Sequence, residues 1–313
     1  MKILVTCPPM LGMIDSFRYI FKEKGIELSA PNVVQTLSVE ELKEIVPQHD
    51  GWIIGDDPAT YEVFEAGKAG NLRAAVKWGI GVDNVDFEAC TDLGIPIINT
   101  PDMFGREVAD IAMGYVIALA RETYEIDRAV RNGKWIKPRG ISLSGKTVAL
   151  LGFGDIGQSS AKRLLASDMK VISYDPFADD NSNLLEVERE IWPNRIEEAD
   201  FIVVTCSLTK SSYHMVNTEV LTQAKNGVRV INVGRGPIID QSALEEALKS
   251  GKVYSAALDV FEVEPLPIDS YLLTHPHCIL GSHNASNTKD AVERTSHIAI
   301  NRLFNFLDVN NVR

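Results

Sequence analysis

The sequence is poor in cysteine and histidine. Four cysteines, at positions 7, 90, 206 and 278, and six histidines are spread over 313 residues. No Cys-x-x-Cys pair or zinc-ligand spacing is read, so no metal site is expected. The cysteines read as free thiols of a reducing cytoplasm, and nothing requires a disulfide. Basic residues are also in deficit. Lysine and arginine total 31 against 43 acidic residues, a formal charge of −12. That balance argues against nucleic acid and against an anionic membrane surface, and simple solubility explains it. No run approaches the ~18 apolar residues of a membrane span. The first apolar run stops at Pro8, too early for a secretory signal, and reads as a strand. Glycine (22) and proline (14) are near ordinary usage, which excludes a fibrous or low-complexity chain. No short repeat is found.

What is present is apolar substance: 45% of the residues are hydrophobic, enough for two domains. Short apolar runs alternate with helical patterns. Runs at 3–5, 51–54, 74–76 and 95–98 read as buried strands, with helices at 38–45 and 61–69 between them. This unit ends near Asn99-Thr100-Pro101. One long helix is expected over about 106–132, closed by Gly133-Lys134. A second series of six strands begins at 147–151 and continues at 171–174, 201–205, 228–233, 256–258 and 278–280. An amphipathic helix follows over about 288–307. The alternation predicts α/β architecture with doubly wound parallel sheets covered on both faces.

Gly152-Phe153-Gly154-Asp155-Ile156-Gly157 fits G-x-G-x-x-G. The motif alone is weak, but here a strand enters it and a helix, 158–167, leaves it. Gly152 suits the tight turn, Gly154 a close pyrophosphate, and Gly157 close packing of helix on strand. The helix-start amides near Asp155 and Ile156 would face the phosphates. A second strand ends at Asp175, 18 residues past Gly157, where an acid binds ribose hydroxyls. No arginine adjoins it, which favours NAD over NADP. The alternative is an ordinary turn and a surface aspartate.

Three polar segments follow later strands: Asn232-Val233-Gly234-Arg235-Gly236, the stretch from Asp259 to Glu264-Pro265, and Gly281-Ser282-His283-Asn284. Sites in open α/β sheets lie at the carboxyl ends of strands. Oxidising a secondary alcohol needs a proton acceptor, and histidine titrates in the useful range. A carboxylate would orient it and favour its charged form. An arginine could grip a substrate carboxylate. Each also has a plain alternative: a surface ion pair for Arg235, a loop residue for His283, a turn for Glu264.

These segments, with Gly79-Ile80-Gly81-Val82-Asp83-Asn84-Val85-Asp86, Asn99-Thr100-Pro101, Gly145-Lys146-Thr147 and Ala257-Leu258-Asp259-Val260-Phe261, closely resemble the NAD-dependent D-isomer-specific 2-hydroxyacid dehydrogenase family over almost the whole chain. The resemblance implies a Rossmann NAD domain, residues 102–286, inserted into a flavodoxin-like substrate domain of residues 1–101 and 287–313. It implies Arg235, Glu264 and His283 as the catalytic set, with His283 as acid/base paired to Glu264. It places Asp259, Val233 and Gly234 at the nicotinamide, Cys206 and Ser207 near the adenosine, and Lys77, Gly79 and Ile80 at the substrate. Ser207 departs from the proline usual in the family. The implied ligands are NAD and a small anionic 2-hydroxy or 2-keto acid, and the implied assembly is a homodimer using the long helix. Phosphoglycerate dehydrogenases carry arginines near Lys77 and in the loop that here reads Gly55-Asp56-Asp57. Their absence argues against phosphoglycerate, whether Asp56 and Asp57 repel a phosphate or merely solvate a loop. No C-terminal regulatory domain is expected. A dinucleotide-sensing corepressor of this fold and a formate- or phosphite-type dehydrogenase are the alternatives.

Overall fold

The computed structural model describes residues 1–178 and 184–309. Among them the strands are β1 (Lys2–Val5), β2 (Glu27–Ser29), β3 (Gly51–Ile54), β4 (Ala74–Lys77), β5 (Ile97–Asn99), β6 (Thr147–Leu151), β7 (Lys170–Tyr174), β8 (Glu188–Arg189), β9 (Phe201–Val204), β10 (Val228–Asn232), β11 (Val253–Leu258) and β12 (Cys278–Leu280). The helices are α1 (Pro8–Leu11), α2 (Arg18–Glu23), α3 (Val39–Ile45), α4 (Tyr61–Ala69), α5 (Phe87–Asp92), α6 (Gly105–Arg121), α7 (Thr123–Arg131), α8 (Asp155–Leu165), α9 (Thr218–Gln223), α10 (Gln241–Lys249) and α11 (Lys289–Phe306). The chain divides into two compact units, Met1–Met103 with the segment from Asn287 onward, and Phe104–Ser286.

The first unit holds a five-stranded sheet in the order β2-β1-β3-β4-β5, with every pairing parallel. This is the flavodoxin-like order, whose switch point lies between β1 and β3. β3 and β4 are buried throughout, as strands covered on both faces must be. Helix α3 starts at a capping box: the Ser38 Oγ accepts from the Glu41 amide, and the Glu41 carboxylate accepts from the Ser38 amide at 2.8 Å. Helix α11 belongs to this unit because Gly51 of β3 leaves room for Leu303 and Leu307. The indole Nε1 of Trp78, just past β4, also donates to the Ser296 Oγ at 3.1 Å.

The second unit holds a parallel sheet ordered β12-β11-β10-β9-β6-β7-β8. Its central strands β6, β9 and β10 are fully buried. The expected six strands are all present, and the short, exposed β8 adds a seventh. β2 was likewise not expected: it is an edge strand with Leu28 as its only apolar residue.

The expected single helix over about 106–132 is two helices. Glu122 takes a left-handed conformation, φ 52°, and ends α6 before α7 begins. No glycine or proline marks this break. Tertiary contacts hold it instead: Glu122 is buried, its carboxylate accepts from the Tyr254 hydroxyl at 2.6 Å, and the Ile141 amide donates to the Ala120 carbonyl at 2.8 Å.

Candidate active site

The glycine turn sits where β6 passes into α8. Gly152 has φ +94°, and a Cβ there would lie 2.6 Å from the Cys206 backbone. A Cβ on Gly157 would overlap the Gly152 carbonyl oxygen. Both positions therefore exclude a side chain, one by backbone conformation and both by close approach. Gly154 differs: nothing lies within 4 Å of a Cβ placed there. Gly154 is also the N-cap of α8, and no side chain caps that helix. Among the described residues the first-turn amides of Asp155 and Ile156 have no protein acceptor, and the positive end of a helix lies behind them. That is the arrangement a pyrophosphate fits.

Asp175 follows β7 and is tied to the turn. Its Oδ2 accepts from the Phe153 amide at 2.7 Å and its Oδ1 from the Phe177 amide at 2.9 Å. Each oxygen has a second lone pair for a ribose hydroxyl. Cys206 packs against Gly152, and burial pushes its thiol up to about 12. Ser207 closes the next loop by accepting from the Ser212 Oγ through its carbonyl at 2.7 Å.

The three polar segments meet beside one another. Asn232, buried at the end of β10, holds the Arg235 loop from both sides: its Oδ1 accepts from the Gly234 amide at 3.0 Å and its Nδ2 donates to the Arg235 carbonyl at 2.9 Å. The Val233 amide donates to the Val204 carbonyl at 3.1 Å. The guanidinium of Arg235 donates to the Gly234 carbonyl at 3.0 Å. Asp259, buried just past β11, accepts from the amides of Asn284 and Ala285 at 3.1 and 2.8 Å, and its carbonyl accepts from the His283 amide at 2.7 Å. It therefore moulds the histidine loop directly, a role not visible in the sequence. The His283 Nδ1 lies 2.8 Å from the Glu264 Oε2, while the Glu264 Oε1 accepts from the Phe261 amide at 2.9 Å. One carboxylate thus fixes both its own loop and the imidazole. His283 and Glu264 are each about one-fifth exposed, open enough to meet a ligand.

The other residues expected at the substrate lie in the first unit. Lys77 ends β4, and its Nζ donates to the Gly55 carbonyl at 2.7 Å, the Asp56 Oδ1 at 3.1 Å and the Trp78 carbonyl at 3.2 Å. The Gly79 amide donates to the Thr100 Oγ1 at 2.7 Å, so it is committed within the protein. Among the described residues, the amides of Ile80 and Gly81 have no such acceptor. Asp57 is no solvating loop residue: it is buried and accepts from Thr6 Oγ1, the Leu37 amide and the Gly55 amide. Burial raises its pKa above the usual carboxylate value.

His214, Asp240 and Glu262 bring possible metal-ligand atoms within 4.8 Å of one another. Asp240 already caps α10, and Glu262 already accepts from the Gln241 amide.

Comparison with known proteins decides the family. Residues 113–285 match the model described as the NAD-binding domain of D-isomer-specific 2-hydroxyacid dehydrogenases. The chain belongs to the D-isomer-specific 2-hydroxyacid dehydrogenase family. It is an oxidoreductase of the α/β class and binds NAD. It is 38% identical to a hydroxypyruvate reductase of Thermotoga maritima, over 87% of this chain and 90% of that protein. It is 35% identical to a D-3-phosphoglycerate dehydrogenase of Archaeoglobus fulgidus, over 93% of this chain but 54% of that one. Among solved structures it superposes on TT0316 of Thermus thermophilus with a TM-score of 0.86 and 30% identity, covering 98% of this chain and 97% of that one. The apo D-lactate dehydrogenase of Escherichia coli gives 0.84 and 26%, with the same coverage. These likenesses favour a dehydrogenase over the corepressor and over the formate or phosphite alternatives. No described helix is long and apolar enough to cross a membrane.

Proposed function

We propose that this family member interconverts a small D-2-hydroxy acid and its 2-keto acid, with His283 as acid/base, Glu264 as its orienting partner and Arg235 holding the substrate carboxylate and carbonyl. The single observation that carries this reading is the 2.8 Å contact between the His283 Nδ1 and the Glu264 Oε2. A carboxylate on Nδ1 fixes that nitrogen as the N–H and assigns proton exchange with substrate to Nε2. Bound NAD supplies the hydride acceptor, and NADH the donor. The chain's own residues do the rest. His283 takes the hydroxyl proton during oxidation and returns it during reduction. Glu264 stabilises the imidazolium between those events. Arg235 offers a planar fork to a carboxylate and positive charge to the carbonyl oxygen.

The cofactor would lie on the amides of Asp155 and Ile156 over Gly154, with its adenosine ribose on Asp175 and its adenine side near Cys206 and Ser207. Val233, Gly234 and Asp259 would border the nicotinamide. The substrate carboxylate would take the amide of Ile80, beside Gly79 and Lys77. We place the enzyme in the cytoplasm, on its four free cysteines, and as a homodimer pairing through the α6–α7 region.

The deciding experiment is His283→Ala. Turnover of the best 2-keto acid is expected to fall ~10²–10⁴-fold, the usual worth of a positioned acid/base. NADH binding, followed by fluorescence, stays near the wild-type level. Turnover within three-fold of wild type overturns the role of His283.

A further inference from the structure

Lys77 is a cation with no charge to give away. It sits at the carboxyl end of β4, beside the β1/β3 switch point where open α/β sheets bind ligands. Its side chain is 3% exposed, and its three N–H groups meet three acceptors: two backbone carbonyls and Asp56. Asp56, by contrast, is 38% exposed. The face that this corner presents to a ligand is therefore the carboxylate and not the ammonium. Asp57 behind it is a second acid, held by Thr6, Leu37 and Gly55, and as an acceptor it offers an incoming anion nothing.

The corner lies beside the loop proposed above to hold the substrate. The Lys77 Nζ is 3.7 Å from where a Cβ on Gly79 would stand, one residue before the Ile80 amide. Where the remaining substituent of a 2-keto acid bound by its carboxylate there would meet this corner, the exposed group it meets is Asp56. A hydroxyl, methyl or hydrogen substituent tolerates that neighbour. A phosphate monoester carries about −1.5 to −2 charge at neutral pH and does not. To receive it, Lys77 would have to give up its ion pair with Asp56 and its hydrogen bonds to the Gly55 and Trp78 carbonyls, of which Gly55 keeps only the Asn84 amide as donor.

We infer that the Asp56–Lys77 pair is a specificity lock, selecting 2-keto acids with an uncharged tail against phosphorylated ones. The inference rests on the proposed 2-hydroxyacid dehydrogenase activity and names its substrate class. Asp56 acts here by occupying Lys77 and by repelling an anionic tail, and it takes no part in the chemistry.

The test compares kcat/KM for hydroxypyruvate and 3-phosphohydroxypyruvate in wild type, Asp56→Asn, Asp56→Ala and Asp56→Ala/Lys77→Met. Wild type is expected to favour hydroxypyruvate by more than ~100-fold, the scale of a clash with an unpaired charge. Both single variants are expected to narrow that ratio at least ~10-fold, mainly through a lower KM for the phosphorylated acid, because Lys77 then has charge to offer. The narrowing should shrink between about 50 and about 500 mM salt, as a Coulombic effect must. It should vanish in the double variant. Wild-type preference for the phosphorylated acid overturns the lock, and so does a ratio unchanged in both single variants. A gain that ignores salt or survives loss of Lys77 also overturns it. If the double variant does not fold, as melting and NADH binding would show, the single variants and their salt dependence decide alone. Failure of the activity assignment looks different: wild type then turns over no 2-keto acid of any tail.

Discussion

At the scale of single residues, the candidate site depends on carboxylates that each hold two things. Glu264 binds the Phe261 amide with one oxygen and His283 with the other. Glutamine keeps the shape but has one acceptor oxygen for two donors. The Glu264→Gln variant must therefore leave either the loop amide or the Nδ1 proton unmet, and a turned or wrongly protonated imidazole cannot exchange its proton through Nε2. We expect kcat to fall ~10²–10⁴-fold with NADH affinity intact; steady-state kinetics with an NADH titration check this, and a kcat within three-fold of wild type refutes it. Asn232 acts in the same manner on the Arg235 loop. Removing its buried amide in Asn232→Ala leaves the Gly234 amide and the Arg235 carbonyl without their partner, at a cost of ~1–3 kcal/mol. A lowered melting temperature with a raised KM for the keto acid is the expected signature, and an unchanged KM would remove Asn232 from the positioning of Arg235. Arg235 and His283 were legible in the sequence as chemically unusual groups just after strands. Asn232 was not, because an asparagine ending a buried strand has no pattern of its own. Asp259 was read only as a cofactor contact, because the amides it binds lie 25 and 26 residues further on.

At the scale of elements, the strand–turn–helix around Gly152 separates packing from binding. Gly157→Ala puts a methyl group onto the Gly152 carbonyl and should destabilise the unit outright. Gly154→Ala meets no atom within 4 Å, and its φ of −73° suits alanine. That variant should melt within ~2 °C of wild type, as expected when no native contact changes. Yet its NADH affinity should fall at least ~10-fold, because the methyl takes the space in which a pyrophosphate approaches. Isothermal titration beside thermal melting checks the pair, and normal NADH affinity in Gly154→Ala would remove the phosphates from this turn. The α3 cap gives a pH-dependent case. Hydrogen bonds from the Ser38 amide and hydroxyl hold the Glu41 carboxyl below its usual range. An acid with a depressed folded pKa contributes stability above its unfolded value and loses it as pH falls through the folded one. Ser38→Ala should therefore lower the melting temperature at neutral pH, where the Glu41 carboxylate is charged. The deficit should narrow on acidification below the normal carboxylate range, and denaturant melts at two pH values measure it. Elements of this kind were legible where pattern and punctuation agree. β6 is one continuous apolar run ending in glycine, and α3 opens on Ser-x-x-Glu. The edge strands β2 and β8 were not, because they bury almost nothing. The α6–α7 break was not either, because the Tyr254 hydroxyl and the returning segment at Gly140–Ile141 make it, far away in sequence.

At the scale of the whole molecule, amphipathic pattern alone does not say which sheet a helix covers. α11 would fit either sheet; Gly51, Trp78 and Ser296 assign it to the first. The same limit applies to faces that no part of the chain covers. Ile111, Ile117 and Val130 on α6 and α7, and Trp135 just beyond, are all exposed, Trp135 at 81%. Scattered exposed apolar residues are ordinary. A tryptophan this bare, following two helices that also expose aliphatic side chains, is where the homodimer proposed above can be tested. A twofold pairing puts the same patch on both partners, so each substitution acts twice. Wild type is accordingly expected to sediment at twice the chain mass at micromolar concentration. The double variant Ile117→Glu/Trp135→Lys should move toward the monomer, with its own melting temperature becoming independent of protein concentration. Ile117 and Trp135 lie outside the glycine turn and the His283 loop, so the dissociated variant should still bind NADH. Wild-type protein that sediments as a monomer would sink the dimer. A variant that stays dimeric would instead place the pairing on another surface and leave Trp135 as an isolated exposed residue.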